Sequence, residues 1–507
     1  LAAFPLASFL ALYSYGRFVK RVKGEPSFAL PLSEDCTPLD RLIAPLVGQH
    51  PQQSGLQLLE DNLDAFAARA VATRRSGRNL DLQYYMWKHD LTGLLLTHEV
   101  LKAADRGVRV RLLLDDLNAY GFDRTHVALD THPNIAVRLF NPSRNRDDIV
   151  RRGIEMLLRA FRATRRMHNK AWIADGRLAI IGGRNNGDAY FDADASSNFR
   201  DLDLLLLGDA VVQTEAIFDQ FWNCDAAVPV AALKKPRRKD LAVLRKKLAR
   251  ILTDKRARPY LARAAEVESG GAMPGEGGAV HWTRDANVVS DPPEKASGGG
   301  HEKWLMNTIR PVLLSAQSDL EIISPYFIPG DEGTEELAKL VHKGVRVSVL
   351  TNSLAATDVA AVHGAYANYR KALVEKGIRL FELKPYNHRS RISLFGSRAA
   401  SLHTKAFTVD DRAGFVGSMN FDPRSISLNS EMGIFFGDPA LVRQVRALFA
   451  DETSPQKSYR IRLDNGKIVW QDGVGGKLRT LRREPETSFR RKLAAVMTGW
   501  LPVESQL

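Results

Sequence analysis

RMHNKAWIAD at Arg166–Asp175 and SLHTKAFTVD at Ser401–Asp410 are the two stretches on which the reading of this chain turns. They carry His, Lys and Asp at the same intervals. The agreement continues to Gly182, Gly183 and Asn185 in the first copy and to Gly417, Ser418 and Asn420 in the second. Both read H-x-K-x4-D-x6-G-[GS]-x-N, which average residue frequencies would place in roughly one chain in ten thousand of this length. Finding it twice, 235 residues apart, marks an internal duplication.

Upstream of each motif the correspondence goes on. NLDLQYYMWKHDLTG at Asn79 answers DLEIISPYFIPGDEG at Asp319, and the Gly-Val-Arg-Val runs at Gly107 and Gly344 stand 237 residues apart. VRLFNP at Val137 answers IRLFEL at Ile378. In each copy β-rich runs alternate with amphipathic stretches. Asp61–Arg75 places Leu63, Phe66, Ala67 and Ala70 on one helical face, and Glu302–Ser315 does so with Leu305, Ile309 and Leu313. The alternation predicts a duplicated α/β architecture, each half a mixed or parallel sheet covered by helices on both faces.

The bulk properties agree with a two- or three-domain globular protein. The chain has 507 residues, 44% hydrophobic and 26% charged, which excludes a polytopic membrane protein and wholesale disorder. Cys36 and Cys224 are too few for a disulfide framework or a cysteine zinc site. The net charge is +14, of which +10 falls between Lys234 and Arg258, and a second basic stretch runs from Lys457 to Lys492. Such patches suit phospholipid headgroups, nucleic acid or a phosphorylated substrate.

The repeated residues suit a phosphodiester. H-x-K on a strand puts His and Lys on the same face. Two such strands meeting at one pocket would offer His168 and His403, Lys170 and Lys405, and Asn185 and Asn420 to a single phosphate. The lysines and asparagines hold non-bridging oxygens; one histidine attacks phosphorus and the other protonates the leaving alcohol. No metal or cofactor is called for, because the lysines supply positive charge. The attacking imidazole must be neutral and the acid protonated. Asp201 and Glu431, at the start of the next strand of each copy, are proposed to hold and tune the rings. A surface carboxylate is the competing reading for Asp201. Asp175 and Asp410, next to a turn, are read as holding loop and strand ends together.

These paired motifs resemble the phospholipase D superfamily. GGRNNGDAYF at Gly182, RDLDLLLLG at Arg200, SPYFIPG at Ser324, TNSLAATDVAAVHGAYANYR at Thr351, VGSMNFDPRSISLNSEMG at Val416 and the terminal PVESQL look more specifically like bacterial cardiolipin synthases, best of all their C-type branch. The resemblance implies two similar α/β/α sandwich halves with the active site at their interface. It also implies transphosphatidylation, in which His168 forms a phosphatidyl-histidine and His403 serves as acid and then base. The acceptor would be phosphatidylglycerol, and the donor phosphatidylglycerol or phosphatidylethanolamine, with a helper protein as a further partner. Gly183 departs from the family pattern, which often has Ser there, as Ser418 does. A phospholipase D hydrolysing lipid to phosphatidic acid is the alternative, a nuclease on the same scaffold a weaker one, and a catalytically silent membrane scaffold the weakest.

The expected organisation is an apolar anchor or signal-like segment over 1–23, phospholipase D-like domains over 24–230 and 301–452, a basic amphipathic helix and Gly/Pro-rich linker over 231–300, and a basic extension over 453–507. The apolar LAAFPLASFLALYSY run, followed by Arg17, Lys20, Arg21 and Lys23, points to the bacterial inner membrane. Its basic flank favours the cytoplasmic face, and a cleaved signal the periplasm. A buried core helix is the competing reading. Leu241, Leu244, Leu248, Ile251 and Leu252 fit either a helix lying on an anionic membrane or one packed on the body. Met86, Trp87, Tyr326 and Phe327 are candidates for an acyl entrance, His363 and Tyr366 for the pocket border, and Arg165 and Arg166 for phosphate attraction. Core packing or surface charge competes in each case.

Overall fold

Each copy of the duplicated pattern folds into one large mixed sheet. A computed structural model describes residues 3–33, 36–270, 279–385, 399–474, 477–488 and 491–493. The first half contains β1 (Ser54–Leu59), β2 (Asn79–Tyr84), β3 (Arg109–Asp115), β4 (Ile135–Phe140), β5 (Ala171–Ala174) and β6 (Leu178–Gly182). β7 (Ser197–Arg200), β8 (Asp203–Gly208) and β9 (Ala227–Pro229) follow. β10 (His281–Thr283) and β11 (Ala286–Ser290) lead into the second half. There, β12 (Asp319–Ile323), β13 (Arg346–Asn352), β14 (Arg379–Leu383), β15 (Ala399–Leu402), β16 (Ala406–Val409), β17 (Ala413–Gly417) and β18 (Met432–Phe436) precede β19 (Ser458–Asp464), β20 (Lys467–Val474) and β21 (Lys477–Leu481).

The nine-stranded sheet runs β10-β1-β8-β6-β5-β2-β3-β4-β9 and the ten-stranded one β11-β18-β17-β16-β12-β13-β14-β19-β20-β21. In both, three parallel strands with helical crossovers meet an antiparallel flank, β2-β3-β4 beside β5 and β12-β13-β14 beside β16. Strands such as RVRLLLD are buried almost throughout, as expected where helices cover both faces. The helices start where the sequence supplies caps: Asp61 accepts from the Leu63 and Asp64 amides ahead of the helix Asn62–Arg75. One apolar core is common to both halves, with Ile181, Leu204 and Phe218 joining Val416, Ile434 and Leu441.

Two parts of the expected organisation change, and the basic helix takes one of its two expected placements. The stretch read as a linker carries β10 and β11, which pair with β1 of the first sheet and β18 of the second. The Gly and Pro content misled there because residues 291–303 form two short 3-10 turns, with Lys295 and Asp291 ion-paired and buried between the halves. Part of the basic extension is integral to the second sheet, since β19 pairs with β14 and β20 and β21 continue the edge; Trp500 and PVESQL lie outside the described residues. The basic helix Asp240–Leu252 packs on the body: Leu244 and Leu248 are buried against the helices Leu91–Asp105 and Asp123–Asp130, and Arg245 pairs with Asp105.

The N-terminal apolar run forms the helix Ala3–Val22. It rests on the first half through Tyr15, whose hydroxyl donates to the Pro142 carbonyl and whose ring stacks on Arg159. No described helix is long and apolar enough to cross a membrane.

Candidate active site

The two motifs meet through backbone pairing between the halves. β7 pairs in parallel with β15, aligning Arg200 with Leu402, and the His403 amide then donates to the Arg200 carbonyl at 2.8 Å. The mirror contact joins Met167 to Ser430, and the His168 amide donates to the Ser430 carbonyl, also at 2.8 Å. Arg200 and Ser430 each precede a carboxylate. Each histidine is thereby placed against the carboxylate of the opposite half. His168 Nδ1 lies 2.8 Å from Glu431 Oε2, and His403 Nδ1 lies 2.5 Å from Asp201 Oδ2.

All four groups are buried. Burial lowers the pKa of His168 to about 4, although Glu431 beside it works the other way. Burial and then Lys405 lower that of His403, against the pull of Asp201. Burial alone would raise Glu431 and Asp201, but their histidine partners bring both below the usual carboxylate range. Both rings are therefore neutral above acidic pH. Each is held through Nδ1, which leaves Nε2 to react.

Lys170 and Lys405 point back so that each ammonium donates to the carbonyl of its own motif histidine, Lys170 at 2.6 Å to His168. Burial lowers Lys170 to about 7 and Lys405 to about 8; the nearby carboxylates oppose this, and Lys405 adds to the effect on Lys170. The Lys405 ammonium acts on that of Lys170, a repulsion that a bound anion between them would relieve. Asn185 is engaged, its amide donating to Tyr190 Oη at 2.8 Å and its carbonyl accepting from the Met86 amide. Asn420 Oδ1 is buried without a partner.

The glycine and serine of the motifs sit behind the carboxylates. Ser418 Oγ donates to Glu431 Oε2 at 2.5 Å and accepts from the Met432 amide. At Gly183 there is no room for the equivalent: an added Cβ would overlap Asp201 Oδ1 and lie 2.8 Å from its Cγ. The shorter Asp201 reaches His403 by occupying the space that the Ser418 side chain takes in the second half.

Asp175 and Asp410 stand away from the chemistry. Asp175, at φ 55°, accepts from the amides of Gly77, Arg78 and Asn79. Asp410, at φ 53°, does the same for Gln317, Ser318 and Asp319. Each clamps the entry of a parallel strand.

The chain matches a family model described as "Cardiolipin synthase, PLD-like domain" over residues 73–222 and 309–452. It is 38% identical over 476 residues to cardiolipin synthase C of Escherichia coli (strain K12), covering 91% of this chain and 98% of that one. This chain belongs to the phospholipase D-like cardiolipin synthase family. Cardiolipin synthase of Geobacillus thermodenitrificans is 24% identical, over 86% of this chain and 77% of that one. In three dimensions this family member resembles a phosphatidylserine synthase of Haemophilus influenzae Rd KW20, with TM-score 0.57 and 14% identity over 93% of this chain and all of that one, a likeness of fold.

Sequence reasoning missed the aromatic walls of this synthase-family site. Tyr85 packs edge-on to His168 with ring centres 4.8 Å apart; Tyr190 and Phe199 flank His403 at 5.2 and 4.9 Å. Their signal was available in QYY at Gln83 and DAYF at Asp188, next to the motif segments. Other candidates lie elsewhere. Trp87 is buried and donates to the Gly93 carbonyl, and Phe327 belongs to the second core; Tyr326 is bonded to Asp358. His363 and Tyr366 form a buried network with Arg370, Glu382 and Glu484. Arg166 pairs with Asp115, and Arg165 donates to the Lys295 and Ser427 carbonyls.

Proposed function

We propose that the chain makes cardiolipin by transphosphatidylation, moving a phosphatidyl group from a phospholipid donor onto phosphatidylglycerol. The observation that carries this reading is the pair of cross-half His–carboxylate contacts around one buried cleft that also holds Lys170 and Lys405. Neutral His168, oriented by Glu431, attacks phosphorus through the Nε2 lone pair. The bond from phosphorus to the headgroup oxygen breaks as His403 Nε2 gives that oxygen its proton. His403 takes up that proton from water as the substrate binds, because a phosphodiester's negative charge raises the imidazole pKa that burial had lowered. In the second half-reaction His403 takes the proton of the phosphatidylglycerol hydroxyl, its oxygen bonds to phosphorus, and the P–N bond breaks to restore His168. Lys170, Lys405 and Asn420 stabilise the oxygens that gather charge, and Asn185 fixes the wall beside His403 through Tyr190.

With phosphatidylglycerol as donor, glycerol leaves; with phosphatidylethanolamine, ethanolamine leaves. The buried cleft supports transfer over hydrolysis, because aromatic rings rather than open solvent flank both histidines. The family relationship supports an anionic bacterial membrane as the place of action. Vesicles of phosphatidylglycerol and phosphatidylethanolamine, with products read by mass spectrometry, test the proposal. Cardiolipin from the wild type and none from His168→Ala or His403→Ala is expected. Phosphatidic acid as sole product would replace the proposal with hydrolysis, and DNA cleavage with untouched lipid would replace it with a nuclease.

A further inference from the structure

Among the described residues, eight exposed large apolar side chains gather on two helices that pack on each other. On the helix Ala3–Val22, Leu6, Phe9, Leu10 and Tyr13 are 54–64% exposed, at the spacing that places them on one face. On the helix Ile149–Leu158, Ile149 and Val150 are 75% and 67% exposed and Ile154 and Leu157 are 53% and 61% exposed. The two helices contact one another, so these residues come from segments far apart in sequence yet lie on neighbouring helices.

This exposure belongs to well-anchored structure. Asp148 caps the second helix through the Val150 and Arg151 amides. Glu155 on its inner face is buried and accepts from the Arg144 and Asn145 amides and from Arg159. Arg144 reaches Ser14 and covers the Phe18 ring, tying the first helix to the same base. Two capped, clamped helices that turn their aliphatic sides outward are matched to an apolar environment.

The surrounding charge says which one. The helix Ala3–Val22 contains no acidic residue and carries exposed Arg17, Lys20 and Arg21; Arg151 on its neighbour is 77% exposed. The flanking Asp147 and Asp148 are paired with Lys234 and Arg151. Apolar side chains bordered by exposed Arg17, Lys20 and Arg21 suit the headgroup boundary of an anionic bilayer.

The position is also specific. The helix Ile149–Leu158 lies in the connection from β4 to β5, which leads directly into His168. Asn141 at its start bonds the Arg162 and Arg165 carbonyls, Arg152 covers the Tyr120 ring, and Asp115 at the end of β3 accepts from the Met167 amide. The connection that carries the platform thus starts from the carboxyl end of β4, the same end of the parallel strands at which His168 precedes β5.

We propose that these two helices form a single membrane-contact face that lies flat in the interface of an anionic bilayer beside the cleft. The inference rests on the reading of phospholipid as substrate, and it places the contact on the helix Ile149–Leu158 rather than on the basic helix Asp240–Leu252, whose Leu244 and Leu248 pack on the body.

Flotation of the purified full chain with vesicles of phosphatidylglycerol and phosphatidylethanolamine, against vesicles of phosphatidylcholine alone, tests it. The wild type is expected to float with the anionic vesicles, and Ile154→Glu/Leu157→Glu to bind them at least tenfold more weakly with unchanged circular dichroism. Val243→Glu, on the exposed side of the basic helix, is expected to float as the wild type does. His168→Ala should also float normally, which separates failure of docking from failure of the catalytic reading. A second measurement avoids disruptive charges: in Leu157→Trp the new fluorescence should be quenched by lipids brominated on their acyl chains, and in Val243→Trp it should not. Undiminished flotation of the double variant, or no quenching at Leu157→Trp, overturns the proposal. So does a wild-type dimer that the double variant abolishes while still floating, which would make the face an interface between copies.

Discussion

Substituting serine for Gly183 copies the second motif into the first, yet the geometry makes it a damaging change. The new Cβ would overlap Asp201 Oδ1 and sit 2.8 Å from Asp201 Cγ, where carbon–carbon contacts need about 3.5 Å. The carboxylate must swing away, and its 2.5 Å contact with His403 is lost. A hydrogen bond to a charged group is worth about 1.5–3 kcal/mol, so the steps in which His403 gives or takes a proton should slow by roughly 10- to 150-fold. Single-turnover formation of cardiolipin measures this. The second half shows the remedy, since Ser418 coexists there with the longer Glu431. Gly183→Ser/Asp201→Glu should therefore recover a large part of what Gly183→Ser loses. A single variant within twofold of the wild type, or a double variant worse than the single, would refute the reasoning.

Three further outcomes follow from the buried charges. In the free enzyme, kcat/KM should fall on the acid side as His168 takes a proton near its pKa of about 4. On the alkaline side it should fall first as His403, whose pKa burial lowers, loses the proton it gives the leaving oxygen, and further as Lys170 and Lys405 lose theirs at about 7 and about 8; a profile flat to pH 9.5 would contradict this. The alkaline limb of kcat should lie higher than that of kcat/KM, because bound phosphate favours charged lysine. Asp81→Ala should cost about 1–3 kcal/mol in chemical denaturation, since Arg111 loses a buried two-point partner at 2.6 and 2.8 Å but keeps Asp219 at 2.7 Å. Asp175→Ala, which frees three strand-entry amides, should lower the melting temperature while the pH profile of the remaining activity stays in place.

The duplication, the strand–helix alternation and the motif residues were legible because they repeat locally and obey the two periodicities of regular structure. Helix positions came within a few residues at Asn62–Arg75, Leu305–Leu314 and Asp240–Leu252 for the same reason. The exchange of carboxylates was not legible. Asp201 and His403 are 202 residues apart, and their meeting depends on β7 pairing with β15, two four-residue strands with no distinctive composition. Periodicity likewise reports that a helix has an apolar face without reporting what covers it. The leucines of Asp240–Leu252 turned inward, whereas those of Ile149–Leu158 turned outward because Glu155 took the inner side. The Gly/Pro-rich stretch before the second half concealed two strands for a further reason: each is short, and each is specified by the sheet edge it completes.

β10 and β11 are separated by only Arg284 and Asp285, yet they border different sheets. Two residues of slack tether the outer edges of both halves like a rivet, and the apolar core common to the two closes the remaining gap. A clamshell motion would have to tear one of these strands from its sheet. Turnover in such a frame must proceed by side-chain and loop rearrangement at the mouth of the cleft. A gene cut between the halves would yield fragments each lacking half of its own catalytic apparatus.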